Sequence, residues 1–217
     1  DDLNIPKKIK LDKYNIYIGF DSSNFGQELA AEVCKRSILK ETNIPSEDLN
    51  INFIKLKELR DRHLYWREHD TLSATEFTYS RFLTPYLNNY QGWALFCDSD
   101  FLYRCDIKEV FDSIELDETK AVYLVKHPED LQTSGVKMNN KPQSSYPRKN
   151  WTSMMIINCG HPSCRTLTPE VVNSQTGKYL HRLEWCNDNE IGELNPTYNF
   201  LVENYISLEL NPNYVGK

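Results

Sequence analysis

Trp93-Ala94-Leu95-Phe96-Cys97-Asp98-Ser99-Asp100 decides the reading of this chain. Five apolar residues in a row, with no alternation, have the length and pattern of a strand covered on both faces. The run stops at two carboxylates with one residue between them. In open α/β sheets ligands bind at the carboxyl ends of the strands. Acids leaving a buried strand there point into one crevice and form a hard, all-oxygen site suited to Mg²⁺ or Mn²⁺, with ligand phosphates completing the shell. Acidic pairs also serve as turns and helix caps. That task falls instead to Asp106, whose Asp106-x-x-Glu109 box precedes a helix expected over Ile107 to Ile114.

Working outward, Tyr14 to Phe20 reads as a buried first strand. Asp21-Ser22-Ser23 then supplies the turn and N-cap of a helix from Gly26 to Lys40, with Leu29, Val33 and Ile38 on its apolar stripe. Ile51 to Leu56 is a second strand. Ser73-x-x-Glu76 is a capping box opening a helix through Tyr86 that carries Phe77, Arg81 and Phe82. Ala121 to Val125 and Met154 to Ile157 are further strands, separated by a Pro- and Asn-rich loop from His127 to Asn150, of a length that is often functional. Thr168-Pro169-Glu170 starts a helix with a capping Thr and Pro in its first turn. Strand and helix alternate, so the expected fold is a single α/β domain over residues 1–217 with a mixed, mostly parallel sheet flanked by helices.

The net charge of −6 argues against a nucleic-acid surface and fits an anionic ligand gripped through a bound cation. The 217 residues suffice for a sizeable core. Six cysteines form no CxxC pair and no zinc spacing, and Cys34 and Cys97 lie in apolar runs where free buried thiols are usual. A reducing compartment, such as the cytoplasm, is therefore preferred to a disulfide set. The polar opening has no signal-peptide pattern, and no apolar run reaches the length of a membrane span. The chain nonetheless reads as a domain that a longer protein could carry.

Beyond these residue-level readings, TEFTYSRFLTPYLNNYQGWALFCDSDFL (Thr75 to Leu102) resembles glycosyltransferase family 8, with its Tyr-x-Arg helix, linker, apolar strand and DxD. KNWTSMMIINCG (Lys149 to Gly160) and WCNDNEIGELNPTYNFL (Trp185 to Leu201) continue the likeness in order, which covers roughly nine tenths of the chain. The resemblance implies a GT-A fold, a UDP-sugar donor, Mn²⁺ or Mg²⁺, a carbohydrate-type acceptor and retention at the anomeric carbon. It implies that Asp98 and Asp100 bind the metal, that Arg81 reaches the donor sugar or diphosphate, and that Phe20 and Asp21 lie beside the nucleobase and ribose. Thr152 and Ser153 would contact sugar hydroxyls, so a glycan on the Asn150-Trp151-Thr152 sequon would crowd the donor. Asp188 falls near the reacting carbon, with Asn189 and Glu190 close enough to leave the alignment open. His127 follows a strand and approaches the site. Arg81 reads equally as a helix-packing arginine, Asp21 as a helix cap and Asp188 as an exposed acidic turn. A third metal ligand, a His in the family's His-x-x-Gly-x-Pro-Trp-like stretch, has no counterpart here.

A nucleotidyltransferase would need a Gly-rich phosphate loop, and the chain has no GxG. The remaining alternative is a non-catalytic nucleotide-sugar or carbohydrate-binding module on the same fold.

Overall fold

The computed structural model describes residues 9–68, 76–128, 148 and 151–201. In chain order the elements are β1 (Tyr14–Phe20), α1 (Phe25–Glu41), β2 (Leu49–Lys55), α2 (Leu56–Asp61), a 3-10 helix (Glu76–Leu83) running into α3 (Thr84–Leu87), β3 (Trp93–Asp98), α4 (Ile107–Asp112) and β4 (Val122–Leu124). A 3-10 turn at Trp151–Ser153 leads into β5 (Met154–Asn158), followed by α5 (Pro162–Arg165), α6 (Pro169–Ser174), α7 (Gly177–His181), the 3-10 turn Asp188–Glu190 and β6 (Ile191–Glu193). The strands form one sheet in the order β2-β1-β3-β5-β4-β6. Only β5 runs against its neighbours, pairing antiparallel with both β3 and β4. The carboxyl ends of β1, β3, β4 and β6 therefore share one edge with the amino end of β5. That edge gathers Phe20, Asp98, the residues after Leu124, Thr152-Ser153 and the residues after Glu193.

All six residues of β3 are buried, as an unbroken apolar strand requires. Leu95 and Cys97 face one core with Ile16, Ile18 and Phe20 of β1; Ala94 and Phe96 face the other with Phe82, Met155 and Leu180. Asp98 falls on the Phe96 side by the two-residue period of a strand. Ser99 N donates to Gly19 O at 3.1 Å, so the ladder continues past Asp98 and the acids leave on fixed backbone.

Three local expectations are corrected. The cap of α1 is Asn24, whose side chain accepts from Gly26 N and Gln27 N, while Asp21 Oδ1 closes a turn on Ser23 N and Oγ at 2.9 and 2.7 Å. Of the expected stripe only Ile38 is buried; Leu29 and Val33 are exposed, and the inward face is Ala31, Cys34, Ser37 and Ile38. Small residues let this face approach the sheet closely, bringing Cys34 Sγ to 3.9 Å from Cys97 Sγ. All six cysteines are free. The segment expected as a helix from Ser73 is a 3-10 helix from Glu76 to Leu83 with one α turn after it, and Ser73 lies outside the described residues. Pro85 has no N–H to return to the Arg81 carbonyl, and Thr84 Oγ1 donates to it instead at 2.7 Å. Most of the 127–150 loop, with Asn150 of the sequon, likewise lies outside them.

Asp106 does cap α4, accepting from Lys108 N at 3.0 Å; it also ties down Thr42 Oγ1 and Asn43 N, both at 2.8 Å. Burial pushes its pKa up, but these hydrogen bonds outweigh that and hold the carboxyl below its ordinary value. The capping role is filled without Asp98 or Asp100. No helix among the described residues is long and apolar enough to cross a membrane.

Candidate active site

Arg81 organises the carboxyl edge. Its guanidinium is buried, 5.3 Å from the Phe96 ring centroid, and reaches one carboxylate and two backbone carbonyls. Nη2 meets Asp98 Oδ1 at 3.0 Å, Nε donates to Thr78 O at 2.8 Å and Nη1 donates to Thr152 O at 2.8 Å. One side chain thus joins the 3-10 helix, the end of β3 and the turn before β5. Both charges of the pair are under a tenth exposed, a position in which each carries a desolvation cost that only good geometry offsets. Asp100, two residues on, is exposed.

Thr152 and Ser153 are both buried. Thr152 Oγ1 lies 3.0 Å from His181 Nδ1, and Ser153 Oγ accepts from Asn199 Nδ2 at 2.8 Å. His127, just beyond β4, is buried, and its carbonyl accepts from Trp151 Nε1 at 2.8 Å. The Phe20 ring is inside the core, edge-on to Phe53 at 5.5 Å, so only its backbone and the Asp21 turn lie at the strand end. The edge therefore brings together Asp98, Arg81, Thr152, Ser153 and His127, with Asp100 leaving it outward and Asp21 at the end of β1. It does not gather Asp188. That residue feeds β6 from its amino end, its side chain is 85% exposed, and it pairs with Arg148 Nη2 at 2.7 Å. Asn189 and Glu190 sit in the same turn; Glu190 O accepts from Ala121 N ahead of β4, and Glu190 Oε2 completes a capping box on Asn187 N.

His181, which the sequence reading did not single out, meets Thr152 at this edge. A lone His in a short helix carries no signal of its own. Here its ring stands 5.1 Å from Phe82 and 5.6 Å from Tyr79. Burial, then the Arg81 and Arg67 guanidiniums, push its pKa well below the usual histidine value, so the ring is neutral. Arg67 is held over Tyr79 at 4.0 Å by the Val172 and Gln175 carbonyls. A histidine depressed in the folded state and titrating near 6.5 when unfolded contributes full stability above that pH and loses it as pH falls towards the folded-state value. Urea midpoints should therefore show a loss on the order of 1 kcal/mol between pH 7.5 and 5.5. A His181→Phe variant should flatten the profile in that window. Equal slopes in the two proteins would remove His181 as the cause.

This six-stranded sheet, mostly parallel with one reversed strand and flanked by helices, is that of the GT-A glycosyltransferase fold. Solved structures that share it include three glycosyltransferases. The bifunctional glycosyltransferase WbbM matches with a TM-score of 0.59 at 16% identity over 93% of this chain, which spans 43% of that one. Mouse xyloside xylosyltransferase 1 matches at 0.54 and 14%, covering 94% and 97% of the two chains. Galactosyltransferase LgtC, solved with donor and acceptor sugar analogues, matches at 0.54 and 12%, covering 93% and 86%. No family model matches the chain. The chain belongs to the family of Protein CDI from Arabidopsis thaliana, with which it shares 46% identity over 199 residues, 92% of this chain and 73% of that protein.

Proposed function

We propose that this chain transfers a hexose, glucose or galactose, from a UDP-sugar to a hydroxyl of a glycan, lipid or protein acceptor, with retention at the anomeric carbon. The observation that carries the reading is the buried Arg81–Asp98 pair at the carboxyl end of β3, with Asp100 beyond it. A buried ion pair is costly to build, and this one stands at the carboxyl end of a central strand, where open α/β sheets bind their ligands.

The donor set fits a hard cation. Among the described residues there is no group of three or more His, Cys, Asp or Glu able to hold a metal ion. Asp98 and Asp100 would hold Mg²⁺ or Mn²⁺ together with donor phosphates and water, as these ions accept. When bound, the ion supplies neutralisation of the charge building on the departing diphosphate. The chain's own groups do the rest. Arg81, fixed by two hydrogen bonds to carbonyls and by its ion pair with Asp98, adds a preorganised positive charge that needs no reorganisation during the reaction. Thr152 and Ser153 present hydroxyls to the sugar, and the end of β1 at Phe20-Asp21 receives the nucleoside. Asp188 lies on the amino side of β6, away from that edge and paired with Arg148. Front-face attack assisted by the leaving phosphate needs no nucleophile from the protein and is the variant of retention that this arrangement favours.

Isothermal titration of UDP with and without Mn²⁺, into wild type and Asp100→Asn, tests this. We expect Mn²⁺-dependent binding in the wild type, weakened about 10–100-fold or more in the variant, since losing a ligand costs at least as much as losing a ligand's support. Metal-independent binding that survives the substitution would make the two acids structural. The position of Asp188 favours one other reading, a nucleotide-sugar-binding module without turnover. UDP-sugar binding with neither hydrolysis nor transfer would select it.

A further inference from the structure

Thr152 is pinned twice. Its carbonyl takes Arg81 Nη1, and its hydroxyl meets His181 Nδ1 at 3.0 Å. The other ring nitrogen, His181 Nε2, is buried without a hydrogen-bond partner. The Nδ1 contact is compatible with two proton arrangements. In one, Nδ1–H donates to Thr152 Oγ1 and Nε2 carries a bare lone pair. In the other, the threonine hydroxyl donates to a bare Nδ1 and the ring proton sits on Nε2.

The two differ in what they bury. The second strands an N–H donor among the Tyr79 and Phe82 rings, and orphaned buried donors are the rarer and costlier kind, at about 1–3 kcal/mol. The first strands only an acceptor lone pair, which the nearby Arg81 and Arg67 charges favour over the positive end of an N–H dipole. The choice has a consequence for Thr152. A hydroxyl has one hydrogen and two lone pairs and rotates to suit its neighbours. If His181 is the donor, that hydrogen is left for something else. If His181 is the acceptor, it is consumed.

We propose that His181 is held as the Nδ1–H tautomer and, by donating to Thr152 Oγ1, aims the Thr152 hydroxyl hydrogen at an oxygen of the donor hexose. The proposal rests on the donor-site reading above. His181 acts through Thr152, so it is a positioning residue. The partner is a sugar oxygen because a neutral, directional donor matches a hydroxyl, whereas the diphosphate charge already meets Arg81 and the acids' cation. His181 thus contributes to the affinity difference between UDP-sugar and UDP, and little to the affinity for UDP itself.

Two measurements test this. Long-range ¹H–¹⁵N correlation spectra of ¹⁵N-histidine-labelled protein at pH 7.5, assigned with His181→Phe, should show the His181 proton on Nδ1. A ring protonated on Nε2, or on both nitrogens, overturns the proposal whatever the nucleotide does. Titration with UDP-glucose, UDP-galactose and UDP then reads the consequence. His181→Phe should weaken the better-bound sugar nucleotide by roughly tenfold, the worth of one buried hydrogen bond, and leave UDP unchanged. His181→Asn, whose amide nitrogen stands near the Nδ1 position, should recover most of the loss. Equal weakening of UDP and UDP-sugar, or none of either, overturns the assignment to the sugar. Wild-type protein that binds no UDP sinks the donor-site reading and the sugar contact with it, while the spectrum still decides the tautomer.

Discussion

Arg81→Met should cost about 3–5 kcal/mol of folding stability, the usual penalty for leaving one member of a buried ion pair behind. Asp98 would lose its ion-pair partner at a position under a tenth exposed, and the Thr78 and Thr152 carbonyls would each lose a donor. Arg81→Lys should recover only part of this, because an ammonium does not reproduce a planar fork shared between one carboxylate and two carbonyls. The double variant Arg81→Met/Asp98→Leu separates stability from function. With both charges gone, apolar replacement is often neutral or better, so urea unfolding should return most of the loss while Mn²⁺-dependent UDP binding stays absent. A single Arg81→Met variant that loses less than about 1 kcal/mol would mean the pair behaves as a solvated surface bridge, and the buried-charge argument would fall.

Gly192→Ala should be nearly as damaging, at about 3 kcal/mol, the upper range for overpacking a core. Gly192 pairs with Tyr123 across β4 and β6, and a Cβ there would stand 2.2 Å from Cδ1 and Cε1 of that ring. The ring has nowhere to go. Its hydroxyl donates to Glu115 O at 2.9 Å and accepts from Asp117 N at 3.1 Å, and it packs on Trp93 at 6.0 Å. Relief must come from β6 moving off β4, and β6 carries Asn199 to its bond with Ser153. Thermal unfolding of Gly192→Ala, Tyr123→Leu and the double variant measures the clash. We expect strong coupling, with the second substitution partly rescuing the first. Additive losses would show that the strand and ring do not collide.

Gly192 also shows why part of this fold was hidden. A strand of three residues containing a glycine has no periodicity to read, and β6 exists because Tyr123 lends it a surface. The central strand was the opposite case, since an unbroken apolar run ending in two acids is compatible with few environments. The α/β class, the ends of β1 and β3, the Asp106 cap and the candidacy of Asp98 and Asp100 follow from local chemistry of that kind. The inward face of α1 did not. Phe25, Leu29 and Val33 make the more apolar stripe, yet Ala31 and Cys34 face the sheet because close approach rewards small side chains.

Arg81 was legible as a candidate, but its alternative as a packing residue was equally good. The structure shows the packing, with the guanidinium 5.3 Å from the Phe96 ring centroid and paired with Asp98. Asp188 and His181 show the limit most directly. An acidic residue in a promising segment lies on the amino side of β6, and a histidine with no motif around it meets Thr152 at the carboxyl edge. The sequence by itself determined the α/β class, the covered central strand and the two acids at its end, because hydrophobic period and turn chemistry act over a few residues. Only the tertiary structure decided which side chains meet at the carboxyl edge. One reversed strand sets Thr152 against β3, and contacts between residues 29 and 71 positions apart are fixed by packing that no local pattern records.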